Sequence, residues 1–173
     1  SKKFAGFKKE LVYPELIELE IKNTNKWYKR ILRSIAAKKG NIPKKNKKYQ
    51  NTKLLVHFNN DVICHFEGRV KIHGGAMDHI DNNSLRTSMR IQLIDGHINF
   101  IHRFALLLPG TRNFDEEILT TALLKELDFL TPNYFKTKVK VNNSSETEYL
   151  FVEMPTLEMT KDQNRNNGFI LTG

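Results

Sequence analysis

The sequence predicts an α+β fold in which an antiparallel β-sheet is flanked by helices. Two features of the hydrophobic pattern support this class. Several short apolar runs alternate with polar residues or end at the Asn, Asp and Gly residues typical of hairpin turns. Two longer segments with helical spacing, residues 23–40 and 113–130, lie on either side of the main run of strands. Because strands and helices fall in separate runs, the order favours α+β over a parallel α/β fold.

Length and composition predict one domain spanning residues 1–173. The chain is 39% hydrophobic and 27% charged, which provides enough apolar material for a packed core. Its one cysteine, Cys64, cannot form an internal disulfide, so cysteine usage does not indicate a cellular compartment. An apolar strand that begins near Gly168 stops at Gly173, and we therefore expect the domain to be truncated at its C-terminal end.

The charge pattern predicts anionic partners. The net charge is +9 and the pI is about 9.6, which favours nucleic acid, a nucleotide, an acidic protein or an anionic surface. Residues 38–53 are dense in lysine and predict an exposed basic loop, for which a solvated loop is favoured over a nucleic-acid patch. No apolar run approaches the ~20 residues of a membrane span. Residues 1–16 lack the apolar region of a signal peptide.

The first half of the chain predicts five strands and one helix. Residues 15–22 alternate apolar and acidic side chains and predict a strand, and residues 23–40 predict a helix. The runs "LLVHF" and "VICHF" flank the turn residues "NND", which indicates a hairpin. The segment "GRVKIHGG" predicts a further strand that ends at Gly74 and Gly75. After a loop, "RTSMRIQLI" predicts the next strand.

The second half predicts a long helix between groups of strands. The segment "INFIHRFALLLPG" contains one or two buried strands, and residues 113–130 predict a helix with Glu116 and Glu117 in its first turn. The runs "KTKVKV" and "EYLFVEM" predict a hairpin. Residues 156–169 predict a short helix followed by a polar loop, and "GFILTG" predicts a last strand.

Two arginines that follow the glycine pair are candidates for binding an anion. Arg86 and Arg90 lie four residues apart, which would place them on one face of a strand. Backbone N–H groups of a glycine loop approach phosphate oxygens closely, and nearby cations neutralise the phosphate charge. A solvated strand face with basic side chains explains the same spacing. The residues alone leave both interpretations open.

The histidines and the cysteine do not indicate a metal site. None of the six histidines has the His-x₃-His or His-Glu-x-x-His spacing of a zinc-binding helix. Cys64 lies in an apolar strand with no second cysteine, which is typical of a buried, inert thiol. The chain also contains neither a Gly-x-Ser-x-Gly elbow nor a Walker loop.

An ordered set of motifs resembles the N-terminal lobe of the CotH family of spore-coat proteins, a group of atypical protein kinases. The match runs roughly from Leu16 to Gly173. It comprises, in order, "LIELEI…WYKRILRSI", "HFNNDVICHFEGRVKIHGG", "SMRIQL", "NFDEEILTTALLKELDFLTP", "VKVNNSSETEYLFVE" and "LEMTKDQNRNNGFI". The second motif resembles the family's hairpin and glycine loop, and the fourth resembles its main N-lobe helix.

The resemblance implies a kinase-like N-lobe that binds ATP with Mg²⁺ and serves phosphorylation of Ser or Thr residues on surface or coat proteins. It also implies a surface or exported location. The residues that it assigns to nucleotide binding are His73, Gly74, Gly75, Ser84, Arg86, Ser88, Arg90, Glu126 and Glu153. The family's catalytic aspartates belong to the C-terminal lobe, so the resemblance implies no catalytic residue in this chain and no phosphoryl transfer by it alone.

Two positions depart from the family pattern. His73 stands where the family loop has an arginine, and Arg86–Thr87 stands where the family strand has a lysine pair. A planar guanidinium from Arg86 or Arg90 would therefore have to replace an ammonium group at the phosphates. The alternative function belongs to another class: a non-catalytic binding module whose basic surface holds an acidic protein, a polyanion or nucleic acid.

Overall fold

A computed structural model describes residues 12–37, 40–156 and 159–160. Seven strands and two α-helices make up most of this part of the chain. In chain order the elements are β1 (Pro14–Ile21), α1 (Thr24–Ala36), β2 (Gln50–Phe58), β3 (Ile63–Ile72), β4 (Met89–Leu93), β5 (Arg103–Leu107), α2 (Phe114–Glu126), β6 (Tyr134–Val141) and β7 (Thr147–Glu153).

The strands form a closed barrel in the order β1-β2-β3-β4-β5-β7-β6. Neighbouring strands are antiparallel except for β1 and β6, which pair in parallel, with Leu16 opposite Lys138 and Leu19 opposite Val141. The expected α+β fold, an antiparallel sheet with flanking helices like a kinase N-lobe, is therefore wrong. Local alternation identifies hairpin neighbours, but closure depends on the pairing of two strands that are distant in sequence, which no local pattern encodes.

The strands expected on either side of Gly68 are one continuous strand, β3. A glycine within an apolar run resembles a break in the sequence, but here it permits close packing. A Cβ atom at Gly68 would lie 3.0 Å from the carbonyl oxygen of Gln92 and 3.0 Å from Cδ1 of Leu54. The long β3 strand carries the residues of the candidate site to one end of the barrel.

Alternation along β3 and β4 divides their side chains between the barrel interior and its outer surface. Val70, Ile72 and Ile91 are buried in the core, together with Trp27 and Ile31 of α1. The residues between them point away from this core, as successive side chains of a strand must. The outer surface of β3 and β4 is therefore polar and basic.

Helix α2 covers a different part of the outer surface. Phe114 packs with Ala105, Leu107, Leu150 and Val152 in a second apolar cluster, against the outer side of β5 and β7. Leucines on the remaining turns of α2 are exposed; they are Leu119, Leu123 and Leu124. The first turn of the helix thus covers an apolar region of the barrel on β5 and β7.

Some predicted elements lie outside the described residues. These include the predicted strand "GFILTG" and nearly all of the helix and loop expected over residues 156–169. Residues 38–39 of the predicted basic loop also lie outside, while Lys44–Asn46 form one turn of 3₁₀ helix and β2 begins at Gln50. No helix in the described ranges is long and apolar enough to cross a membrane.

Candidate functional site

A cleft of about 340 Å³ opens on the outer surface of the barrel near the end of β3. Its lining residues are Lys47, Lys71, Ile72, His73, Gly74, Gly75 and Arg90. We call it the cationic cleft, because Lys47, Lys71 and Arg90 line it and no acidic side chain of the described residues does. The sequence had suggested four of these residues, His73, Gly74, Gly75 and Arg90, as ligands for a nucleotide.

Strand pairing brings two of the cations together. Lys71 of β3 lies directly opposite Arg90 of β4 in the antiparallel register. Residues in opposite positions share a face of the sheet, with their Cβ atoms roughly 5 Å apart. Both side chains are half-buried. The strand pairing therefore places the two side chains next to each other on one face of the sheet.

The loop after β3 is compact because Gly74 has a backbone conformation that favours glycine. Its φ is +85°, and a Cβ atom at this position would overlap the imidazole ring of His79. The rings of His73 and His79 meet edge to face, with centroids 5.4 Å apart. Backbone hydrogen bonds tie the loop to the start of β4, since Ser88 N donates to His79 O at 2.9 Å and His73 N donates to Ser88 O at 2.8 Å.

The third cation comes from the lysine-rich segment before β2. Lys47 Nζ donates a hydrogen bond of 3.0 Å to Gly74 O. Ile42 N donates to Gly75 O at 2.7 Å, and Met77 N donates to Gly40 O at 3.2 Å. These contacts join the segment to the glycine loop, so Lys47 has a defined position at the cleft.

The cations of the cleft are not neutralised by acidic partners. No carboxylate of the described residues lies within 4.0 Å of the charged nitrogens of Lys47, Lys71 or Arg90. Burial lowers the pKa of Lys71, and the charges of Arg90 and Lys47 lower it further. The buried Nε atom of Arg90 also has no hydrogen-bond partner among these residues. Like charges are thus held together at a cost in free energy.

The positive charges of the cleft also act on His73. Burial, as the largest cause, and the charges of Arg90, His79, Lys71 and Arg112 together lower its pKa to about 4. The ring is therefore neutral at pH 7. Burial also lowers the pKa of His79, against the opposing effect of Asp78.

Five residues suggested by the sequence lie outside the cationic cleft. Ser88 is fully buried, and its Oγ accepts a hydrogen bond of 3.0 Å from Leu108 N. Glu153 is 4% exposed, and its carboxylate accepts hydrogen bonds from the backbone and side-chain nitrogens of Asn133. Glu126 is exposed at the last turn of α2. These three positions contribute to structure or to the surface away from the cleft.

The remaining two residues belong to the loop before β4. Arg86 Nη2 donates to Ser145 Oγ at 2.7 Å, and the Ser84 hydroxyl bonds to the Asp81 carboxylate. Strand β4 begins only at Met89, so Arg86 and Arg90 do not share one strand. The structure separates the pair, and Arg90 alone reaches the cleft.

Sequence reasoning missed Lys47 and Lys71. Lys71 lies two residues before His73 on an alternating strand, which is a signal for the same face of the sheet. The approach of Lys47 had no sequence signal, because it depends on hydrogen bonds between two distant loops. No group of three or more His, Cys, Asp or Glu residues in the described ranges is arranged to hold a metal ion.

Comparisons with known proteins give no assignment for this chain. No protein-family model matches it, and no curated protein matches its sequence. The CotH resemblance and the activity that it implies therefore remain predictions from the motifs alone.

Proposed function

We propose that the protein is a binding module that holds a phosphate-bearing anion in the cationic cleft. One observation carries the proposal: Lys47, Lys71 and Arg90 converge on one cleft without a carboxylate of the described residues to neutralise them. An anion that enters the cleft supplies the missing negative charge and removes the repulsion between the cations.

The three cations differ in the contacts that they offer to a phosphate. The Arg90 guanidinium presents a planar set of N–H donors that suits two phosphate oxygens at once. The lysine ammonium groups act as compact charges that adapt to the position of the anion. Because His73 is neutral at pH 7, its ring adds no net charge there, but it has one N–H donor and one acceptor nitrogen.

ATP with Mg²⁺ is a second candidate ligand. One specific observation favours it. Four residues that the CotH resemblance assigns to nucleotide binding line the cleft; they are His73, Gly74, Gly75 and Arg90. On this proposal the phosphates lie against Lys71 and Arg90. Kinase activity would still require aspartates that this chain does not supply.

The test is a titration of the isotope-labelled protein with pyrophosphate and with Mg²⁺-ATP, followed by NMR. We expect the largest shifts at residues 71–76 and at Arg90. We expect Arg90→Met to weaken pyrophosphate binding about tenfold or more, because a charge-assisted hydrogen bond contributes roughly 1.5–3 kcal/mol. Tighter binding of Mg²⁺-ATP than of pyrophosphate would favour the nucleotide.

Lys138→Met is the matched control, since Lys138 is an exposed lysine on β6 that pairs with Glu146 at 3.7 Å and lies outside the cleft. This variant should bind pyrophosphate like the unchanged protein. Equal weakening in both variants would mean that net charge alone governs binding, and the proposal would then be rejected.

A further inference from the structure

A second, larger cleft adjoins the cationic cleft and shares Lys47 and Gly75 with it. Its volume is about 890 Å³. We call it the α1 cleft, because its wall includes the last turn of α1. Its other lining residues are Arg33, Ala36, Ala37, Asn41, Ile42, Pro43, Lys44 and Lys45. The two clefts therefore lie next to each other, and we call the surface that they form together the path.

The α1 cleft combines cations with apolar surface. Arg33, Lys44 and Lys45 are exposed and supply positive charge. Ala36 and Pro43 supply apolar surface between them. Within the part of the chain that the structure describes, no acidic side chain lines the cleft. A ligand that fits both properties carries repeated negative charges and flat apolar groups.

Hydrogen bonds hold the backbone of the segment that carries the lysines of this path. Arg30 Nη1 donates hydrogen bonds of 2.7 Å to Lys48 O and of 2.7 Å to Gln50 Oε1. The buried Asn46 donates from Nδ2 to Ser34 Oγ at 2.9 Å. The segment that carries Lys44 and Lys45 is thus fastened to α1 on one side and to the glycine loop on the other. This arrangement lowers the conformational entropy lost when a ligand binds.

An aromatic side chain stands beside the path. Tyr49 is 38% exposed, and Lys71 Nζ lies 4.6 Å from the centre of its ring. Exposed aromatic rings next to cations form stacking surfaces for unpaired bases.

We propose that the two clefts together bind single-stranded nucleic acid. This inference rests on the proposed function, and it extends the phosphate contact in the cationic cleft to a chain of phosphates. The sugar-phosphate backbone of the bound strand lies along the cations, from Arg90 and Lys71 past Lys47 to Lys44 and Lys45. Bases lie against the apolar surface of the α1 cleft and against Tyr49. Inorganic polyphosphate has the charge but no group for the apolar surface.

The test measures fluorescence anisotropy of labelled decamers of uridine and of thymidine with the full chain. We expect both decamers to bind at least tenfold more tightly than pyrophosphate. The five cations named above and Arg33, six in all, predict a slope of log K against log salt of about −4, at about 0.7 per phosphate contact on a single strand. A difference in affinity between the two decamers would identify RNA or DNA as the preferred ligand.

A double variant, Lys44→Met with Lys45→Met, tests the α1 cleft by itself. It should weaken decamer binding about tenfold and reduce the slope by about 1.4, while pyrophosphate binding stays unchanged. The control carries Lys48→Met and Lys138→Met, which remove the same charge from exposed lysines that line neither cleft.

Two results would overturn the inference and leave the proposed function standing. One is a decamer that binds no more tightly than pyrophosphate or is insensitive to the α1-cleft variant. The other is inorganic polyphosphate of equal charge that binds as tightly as the decamer. In contrast, pyrophosphate binding that Arg90→Met leaves unchanged would reject the proposed function itself.

Discussion

The lysines of β6 and the cations of the cationic cleft lie on the same barrel but in opposite electrostatic settings. Lys136 lies 2.8 Å from Asp115, and Lys140 lies 3.0 Å from Glu18. At the cleft, Lys71 and Arg90 face each other across a strand pair, with no carboxylate of the described residues within 4.0 Å of either. The first group consists of ion pairs, and the second consists of unpaired charges.

This difference shows that the net charge of +9 is not spread evenly over the protein. Ion pairs on β6 satisfy both partners and leave little charge for a ligand. Cations held together without partners reduce stability, and this cost is recovered only when an anion binds. The variants below test whether the two groups really behave in these two ways.

The largest expected effect concerns the loop that arranges the cleft. Gly74→Ala should destabilise the protein by about 2 kcal/mol, because alanine at φ +85° is strained and its Cβ would overlap the His79 ring. Chemical denaturation measures this difference. Gly75→Ala is the matched control, since a Cβ there meets nothing within 4 Å. Similar losses in both variants would show that Gly74 does not determine the loop conformation.

A second effect concerns the pKa of His73, which should rise in Arg90→Met and stay near 4 in Lys138→Met. Removing the Arg90 charge leaves burial as the main cause of the low value. NMR titration of the His73 ring measures this pKa in both variants. A pKa of His73 that is unchanged by Arg90→Met would mean that the Arg90 charge does not act on this ring.

The same pKa predicts a pH dependence of stability. Between pH 6.5 and about 4 the unfolded chain takes up a proton at His73, whereas the folded ring remains neutral. The contribution of His73 to stability is thus present above pH 6.5 and is lost as the pH falls through this window. His73→Gln should therefore lose less stability than the unchanged protein on acidification.

The smallest expected effect is a change in the free energy of unfolding, with opposite signs for the two groups of cations. Arg90→Met should raise the free energy of unfolding by about 0.5 kcal/mol, because it relieves repulsion within the cleft. Lys140→Met should lower it by a similar amount, because it breaks the contact with Glu18. Denaturation curves at low salt compare the two. Equal losses of stability in both variants would show that paired and unpaired cations do not differ in their effect on stability.

The sequence predicts most strands and both helices of the described chain, because each element is encoded by local periodicity. Helix α1 begins at Thr24, and the side chain of Asn23 caps it by accepting a hydrogen bond from Lys26 N. Barrel closure could not be predicted, since the parallel pairing of β1 with β6 joins segments far apart in the chain.

The cationic cleft could be predicted only in part. The glycine pair and Arg90 attract attention as residue types, and they do line the cleft. Arg86 has the same residue type but is bonded to Ser145 instead, which no spacing rule reveals. Lys47 reaches the site through loop contacts, so its role emerges only from the tertiary structure.

Closure of the barrel has a consequence for how copies of this protein meet one another. Each of the seven described strands has a hydrogen-bonded neighbour on both sides. Where a strand is paired on both sides, it has no free row of backbone N–H and C=O groups on which a strand of another molecule could extend the sheet. Opening the short parallel seam between β1 and β6 would create two such edges at once. The closed seam therefore limits aggregation through strand pairing.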